Sequence, residues 1–194
     1  MTTIGFVRHG VTTWNKEGRA QGSSDIPLDE EGIQMAEHLA TRLAAEQWDV
    51  IYSSPLLRAK KTAEIIAERK PSIKLVLDNR LRETGGGQIE GTTVAERVEK
   101  WGESWRELDL DQEPHDEVVA RGMAFIEKLK EKHPGEKVLI VSHGSFIGKV
   151  IRALVPDEKL DDKVGNTSVT LIKLQETINY CELYNCMAHL QVNE

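Results

Sequence analysis

Residues 136–144, EKVLIVSHG, carry the strongest strand pattern of the chain. The apolar residues Val138 to Val141 follow one another without a polar interruption, which is typical of a strand that is buried on both faces. The run ends at His143 and Gly144, and helical spacing begins at once and continues to Leu154. A buried strand that passes directly into a helix indicates an α/β fold with a parallel sheet.

A second strand of this kind lies at the beginning of the chain. Residues 2–7 are apolar or β-prone, and the polar triplet Arg8, His9 and Gly10 follows them. The same pattern predicts two further strands and a strand pair near the end of the chain, at residues 48–54, 72–78, 168–174 and 177–184. Because helical segments separate most of these strands, the sequence predicts a three-layer αβα sandwich with a mostly parallel, doubly wound sheet and right-handed crossovers.

Capping residues indicate where two of the helices begin. Asp29 is a candidate N-cap, and helical spacing predicts a helix from it to about Glu46. Ser54 is expected to cap the next helix, with Pro55 in its first position, because proline is favoured there. This places Arg58 in the opening turn of that helix.

The middle of the chain differs from the rest. Residues 79–115 lose clear periodicity and are rich in glycine and charge, and helical spacing resumes from Asp116 to Lys132. We therefore predict a single domain of residues 1–194 with a small inserted lid, and residues 79–115 are called the lid segment below. A length of 194 residues suits one such domain.

Composition limits the partners and the location of the protein. Lys and Arg total 25 against 32 Asp and Glu, so the net charge of −7 argues against a nucleic-acid or anionic membrane surface as the main partner. No stretch approaches the ~18 apolar residues that a membrane span needs. The spacing of Cys181 and Cys186 matches neither a redox pair nor a zinc ribbon. We expect a soluble cytoplasmic protein with reduced cysteines.

Two histidines are expected to face one another across a crevice. Ligands of open α/β sheets bind beyond the carboxyl ends of the strands, where both His9 and His143 are predicted to lie. Arg8 and Arg58 at the same rim would suit a phosphate or carboxylate. Two other interpretations stay open, namely hydrogen-bonded turn histidines and a metal site. A metal site would use both histidines with Asp25 or Glu83, although the two arginines would repel a cation.

Five motifs in order resemble those of the histidine phosphatase superfamily, also called phosphoglycerate mutase-like, and the similarity runs nearly end to end. They are RHGVTTWN from residue 8, RAQGSSDIPLDEEG from residue 19, SSPLLRAKKTAE from residue 53, RLRETGGGQIEG from residue 80 and VSHG from residue 141. The resemblance is to the phosphatase branch, including bacterial broad-specificity phosphatases.

The resemblance implies a role for each matching residue. His9 would be the nucleophile that forms a phosphohistidine, and Glu83 would protonate the leaving group and then activate water. Electrostatic stabilisation of the transferred phosphoryl group would come from three further catalytic residues, Arg8, Arg58 and His143. The substrate would also be bound by five residues, Asn15, Gln21, Gly10, Thr12 and Gly144. Without the motif, Glu83 would instead be expected to pair with Arg80 or Arg82.

The resemblance further implies a phosphatase that acts on a small-molecule phosphate monoester without a metal or cofactor. Phosphoglycerate mutase or sugar bisphosphatase activity is the first alternative, and a non-catalytic phosphate-ester binding protein is the second. A mutase would need a second anion site, for which residues 85–115 offer three cations, Arg97, Lys100 and Arg106. Oligomeric state, monomer or homodimer, is left open.

Three features are not assigned by the resemblance. Val11 stands where many members have an acidic residue, and PHDEVVARG, from residue 114, replaces the usual Gly-Gly-Glu-Ser stretch. Trp101 and Trp105, one helical turn apart, would either floor an apolar substrate pocket or pack the lid segment. The tryptophans and the acidic lid favour a substrate with an uncharged or apolar group.

Overall fold

A single six-stranded sheet runs through the computed structural model, which describes residues 1–156, 160 and 163–191. The strands lie in the order β3-β2-β4-β1-β5-β6. In chain order they are β1 (Thr2–Arg8), β2 (Val50–Ser53), β3 (Lys74–Leu77), β4 (Lys137–Ser142), β5 (Val169–Leu174) and β6 (Tyr180–Cys186). The first four strands are parallel, and β5 runs antiparallel to both of its neighbours. The predicted mostly parallel sheet is confirmed.

The central strands β1 and β4 set the position of the two histidines. Their parallel register pairs Val7 with Val141 and Arg8 with Ser142. His9 continues this ladder by donating its backbone N–H to Ser142 O at 3.0 Å. Because parallel strands end at the same edge of a sheet, the residues that follow β1 and β4 emerge side by side.

Within the described residues, six α-helices accompany the sheet: α1 (Thr13–Glu17), α2 (Glu30–Ala44), α3 (Leu57–Glu68), α4 (Val94–Trp101), α5 (His115–Lys132) and α6 (Gly144–Leu154). Helices α2 and α3 share a core with strand residues such as Val7 and Leu139. Helices α5 and α6 share a second core with the strand residues at the alternate positions, such as Phe6 and Ile140. Strand side chains alternate between the two faces, so both faces are covered and the αβα sandwich is confirmed.

The helix starts agree with the sequence in one case and differ in the other. Asp29 caps α2 by accepting from Gly32 N at 2.8 Å, and α2 ends at Ala44. The predicted start of α3 is wrong, because this helix begins at Leu57 with Leu56 in the capping position and no side-chain cap. Asp25 Oδ1 accepts from Leu57 N at 2.6 Å instead. Arg58 lies in the opening turn as expected.

The lid segment contains more regular structure than its composition predicts. Helix α4 begins with a capping box between Thr93 and Glu96, a signal present in the sequence as TVAE. Short 3-10 turns lie at residues 79–81, 87–89 and 105–107. The periodicity is hard to recognise because each element spans only two turns or fewer.

The lid segment has a small core of its own. Trp105 is buried with Ile89 and Leu110, and Trp101 packs against them, so the tryptophans pack the lid segment and form no pocket floor. Cations cover the indole rings: Arg97 and Arg106 lie 5.0 and 4.3 Å from the Trp105 ring centre, and Lys100 lies 4.4 Å from that of Trp101. Among the described residues, no helix combines the length and apolar composition needed to cross a membrane.

Candidate active site

His9 and His143 lie next to each other at the carboxyl edge of the sheet. Their ring centres are 5.2 Å apart, and both side chains are buried. His9 directly follows β1, and His143 is the residue before α6. The sheet register therefore brings together two side chains that are 134 positions apart in the sequence.

The ring of His9 is held in one orientation. Its Nδ1 lies 2.6 Å from Gly10 O, and since a carbonyl only accepts hydrogen bonds, Nδ1 is the donor. Burial lowers the pKa of His9 well below its ordinary value, and the nearby guanidinium groups of Arg8 and Arg58 lower it further. A neutral ring with its proton on Nδ1 has an unprotonated Nε2, which is the atom a nucleophile requires.

His143 is held on one side only. Its Nε2 lies 2.8 Å from Ser54 Oγ, and its Nδ1 is buried with no hydrogen-bond partner among the described residues. Burial and then the charge of Arg58 lower the pKa of His143 well below its ordinary value. Ser54 Oγ also accepts from Leu56 N at 3.3 Å. The sequence predicts Ser54 as the cap of α3, but in the structure its hydroxyl orients His143.

Two arginines lie beside the histidines, and Arg8 is the more exposed of the two. Arg58 is fully buried and donates Nη1 to Ser24 O at 2.7 Å and Nη2 to Gly22 O at 2.8 Å. Arg8 donates Nη1 to Val164 O at 2.7 Å. Burial lowers the pKa of Arg58 to about 10, so it stays charged at neutral pH.

Several buried polar atoms of this cluster have no partner among the residues that the structure describes. They are Arg8 Nε, Arg58 Nε, His143 Nδ1 and Gln21 Oε1. Buried polar groups are almost always hydrogen-bonded, since an unpaired group costs about 1–3 kcal/mol. Two of the four are N–H donors on cations, so the cluster is suited to an anion that accepts from them.

Glu83 joins the cluster from the beginning of the lid segment. Its carboxylate accepts from Phe146 N at 2.9 Å and Ser145 N at 3.2 Å, in the first turn of α6, and from Thr84 N at 2.8 Å. Burial lowers the pKa of both Arg8 and Arg58, and the charge of the nearby Glu83 carboxylate opposes this lowering in both.

The alternative pairing of Glu83 with a neighbouring arginine is wrong. Arg80 pairs with Asp78 at 2.6 Å, and Arg82 donates to Asn79 O at 3.2 Å. The structure thus leaves Glu83 with main-chain partners at a helix N-terminus, where a carboxylate is favoured by the helix dipole.

Arg121 and Glu113 hold the chain around Glu83, and the sequence reasoning missed both. Arg121 donates to the backbone carbonyls of Arg80, Arg82 and Glu83 at 2.6–3.0 Å, and pairs with Glu113 at 2.7 Å. Glu113 also accepts from Gly85 N at 2.9 Å. The sequence does contain a signal for Arg121, because an arginine on the buried face of a helix needs buried partners.

Asn15 and Thr12, two of the five predicted substrate-binding residues, form a capping box at α1. Asn15 N donates to Thr12 Oγ1 at 3.1 Å, and Thr12 N donates to Asn15 Oδ1 at 3.1 Å. Asn166 donates Nδ2 to His9 O at 3.0 Å. These contacts fix the loop that follows His9.

The two predicted substrate-binding glycines differ in surroundings. Gly10 donates its N–H to Thr62 Oγ1 at 3.1 Å, and a Cβ there would clash with Gly32 O in α2. The backbone at Gly10 therefore lies in close contact with helix α2. Gly144 lies against Arg8, whose Nε would be 3.2 Å from a Cβ at this position.

The metal interpretation used Asp25 or Glu83 with both histidines. Asp25 accepts from Leu57 N, and Glu83 accepts from three backbone N–H groups. Within residues 1–156, 160 and 163–191, no group of three or more His, Cys, Asp or Glu side chains could hold a metal ion. The donor set, with two guanidinium groups beside the histidines, suits an anion better than a cation.

Comparisons with known proteins show the family to which the chain belongs. The model of the histidine phosphatase superfamily (branch 1) matches residues 4–187. The chain is 32% identical over 200 residues to a metal-independent phosphoserine phosphatase of Arabidopsis thaliana, covering 98% of this chain and 84% of that protein.

Two solved structures are similar over almost their whole length. Bacillus stearothermophilus YhfR has a TM-score of 0.86 at 33% identity, covering 97% of this chain and 99% of that chain. A phosphoserine phosphatase of Entamoeba histolytica, in complex with phosphoserine, has a TM-score of 0.81 at 27% identity, covering 98% and 100%. The chain belongs to branch 1 of the histidine phosphatase superfamily and is a phosphatase.

Proposed function

We propose that the protein hydrolyses phosphate monoesters of small metabolites in two displacements at Nε2 of His9, without a metal or cofactor. The observation that carries this proposal is the group of unpartnered buried atoms, Arg8 Nε, Arg58 Nε and His143 Nδ1, beside a histidine whose Nδ1 is fixed by Gly10 O. The similar phosphoserine phosphatases also support a small phosphorylated substrate.

In the first displacement Nε2 of His9 forms a bond to phosphorus while the ester P–O bond breaks. Glu83 enters the reaction as the neutral acid and gives its proton to the departing alkoxide, which leaves as the free alcohol. In the second displacement water attacks the phosphohistidine, the P–N bond breaks, and the Glu83 carboxylate takes a proton from the water. Inorganic phosphate leaves, and both side chains return to their initial state.

The remaining residues stabilise the charge of the phosphoryl group. Arg8 and Arg58 are held by backbone carbonyls before the substrate arrives, so they need little reorganisation during the reaction. His143 directs Nδ1 to the same cluster while Ser54 holds its other nitrogen. The phosphoryl oxygens would accept from these groups, with further contacts from Asn15, Gln21, Thr12 and the backbone at Gly144.

Both alternative functions fit less well. The mutase alternative takes its second anion site from Arg97, Lys100 and Arg106 of the lid segment, and these three cations lie on tryptophan rings instead. A non-catalytic binding protein needs no acid in the pocket, whereas Glu83 lies close to both arginines. Hydrolysis of a monoester uses every member of the cluster.

The role of Glu83 is tested by substrates with different leaving groups. Glu83→Gln should lower kcat/KM for an alkyl phosphate by about 10²–10⁴-fold, since an alkoxide needs the proton. The loss should be much smaller for p-nitrophenyl phosphate, whose phenolate leaves unaided. Steady-state assays in excess chelator measure both, with Glu117→Gln, an exposed carboxylate of α5, as the matched control.

Equal losses for both substrates in Glu83→Gln would contradict the assignment of the acid. Loss of turnover in chelator, restored by a divalent cation, would contradict the metal-free mechanism. Full activity in His9→Ala would rule out the proposed nucleophile, and tight phosphate binding without any turnover would favour the binding-protein alternative.

A further inference from the structure

A cleft of about 390 Å³ opens beside the candidate catalytic residues Arg8 and Glu83. A substrate whose phosphoryl group lay between His9 and the arginines would extend its leaving group away from them, past the acid. Because Glu83 would protonate that leaving group, a cleft containing Glu83 is the natural place for it. The side chains that line the cleft therefore bear on which alcohol is released.

Small residues on α6 keep the cleft open. Gly144 and Gly148 are one turn apart and both line it. A Cβ at Gly148 would lie 3.6 Å from Arg152 Nη1 and 3.9 Å from a Val164 methyl group, so no close packing excludes a side chain there. Glycine inside a helix costs about 1 kcal/mol relative to alanine, and no backbone contact repays it at this position.

Two lysines line the cleft. Lys149, on α6, is half-buried and donates Nζ to Thr84 Oγ1 at 3.1 Å. Lys163 precedes Val164, whose carbonyl accepts from Arg8, and Lys163 O accepts from Asn185 Nδ2 at 3.0 Å. The backbone that carries Lys163 is thus fixed relative to a candidate catalytic residue.

The charge of the cleft is unbalanced. Among the described residues that line it, Glu83 is the one carboxylate, and four are basic. Glu83 is already bound by three backbone N–H groups. Arg97, Lys100 and Arg106 of the lid segment, by contrast, lie on tryptophan rings.

We propose that Lys149 and Lys163 form a subsite for a second anionic group, a carboxylate or a phosphate, on the part of the substrate that leaves as the alcohol. The proposal rests on the function proposed above and narrows it to monoesters with an anionic leaving group. It also replaces the expectation of an uncharged or apolar substrate, because the tryptophans behind that expectation are packed inside the lid segment.

Matched substrate pairs isolate the subsite. The first pair is 3-phosphoglycerate and glycerol 3-phosphate, which differ by a carboxylate, and the second is propane-1,3-diol bisphosphate and 3-hydroxypropyl phosphate. The ratio of kcat/KM within a pair should favour the anionic member by about tenfold or more, the effect of a hydrogen bond to a charged group. The pair with the larger ratio identifies the anion.

Lys149→Gln/Lys163→Gln should bring that ratio close to one, and raised ionic strength should lower it in the parent protein. Lys130→Gln, which removes an exposed lysine of α5, should keep the parent ratio. If the double variant does not fold, Lys163→Gln is measured alone, and it should lower the ratio of kcat/KM within each pair part of the way toward one.

A ratio of one or less for both pairs in the parent protein would overturn the subsite, and so would a ratio that survives in the double variant. If no ester is hydrolysed, the proposed function fails on its own. The subsite is then judged by calorimetric dissociation constants for the same pairs, where equal affinities within both pairs would overturn it.

Discussion

His9 carries its proton on Nδ1 because of where its ring lies. The Gly10 carbonyl accepts a hydrogen bond from the Nδ1–H group of His9. Burial, Arg8 and Arg58 together oppose a second proton on Nε2. His143 is kept neutral by burial and the same arginines. The two fixed cations, which suit a phosphate dianion, thereby also keep Nε2 of His9, the proposed nucleophile, free of a proton.

This has a measurable consequence for stability. The pKa of a histidine in the unfolded chain is about 6.5, and those of folded His9 and His143 are lowered well below their ordinary value. As the pH falls below 6.5, the unfolded chain binds protons that the folded chain does not, so the free energy of unfolding decreases. Each histidine should contribute a loss of at most about 1.6 kcal/mol between pH 6.5 and 5, the limit set by the pKa of the unfolded chain.

Urea denaturation at pH 7.5, 6.5 and 5 measures this loss, and His9→Gln or His143→Gln should reduce it. His189, whose pKa burial lowers to about 4, adds to the same trend and stays in every variant. Between pH 7.5 and 9 the histidines are neutral in both the folded and the unfolded state. The free energies of unfolding of the variants and of the parent should then change with pH in parallel. The same acid sensitivity in parent and variants below pH 6.5 would contradict a neutral, buried pair.

At the scale of elements, two glycines determine how the loop after β1 meets α2. A Cβ at Gly10 would clash with Gly32 O, and a Cβ at Gly32 would clash with Val11 O. Val11 O also accepts from Asp29 N, the N-cap of α2, at 3.3 Å. Val11 thus contributes its backbone to this contact, and the loop that carries Thr12 and Asn15 rests on the helix.

Gly32→Ala should therefore lower the free energy of unfolding by about 1–3 kcal/mol, although alanine is the better helix former. The displaced loop should also lower kcat/KM, because Thr12 and Asn15 move with it. Urea denaturation and steady-state kinetics measure both effects. Gln34→Ala, at an exposed position of the same helix, is the control that raises helix propensity without a clash, and a Gly32→Ala protein as stable as this control would contradict the contact.

At the scale of the whole molecule, the sequence predicts the sheet and the cluster at its edge from a few signals. Buried apolar runs indicate β1 and β4, and in a parallel sheet their ends must meet. The positions of His9, His143 and Arg58 at one rim follow from that rule alone. Features that depend on packing between distant segments were not predictable in this way.

Three examples show why. Arg121 organises the segment around Glu83 through backbone carbonyls, which leave no pattern in the sequence. Ser54 orients His143 instead of capping α3, because a distant histidine competes for its hydroxyl. The cleft combines residues of α6 with Lys163, so its charge becomes visible only when those segments are placed together.

The central claim is that the phosphoryl group passes through His9, and trapping that intermediate tests it most directly. Glu83→Gln mixed with p-nitrophenyl phosphate should accumulate it, because the phenolate leaves without an acid while attack by water lacks its base. An alkaline quench preserves phosphohistidine, and mass spectrometry of the digest locates it. The account predicts phosphate on His9 that is lost in acid and absent from His9→Ala, and turnover with no phosphate on His9, or with phosphate on another residue, would contradict it.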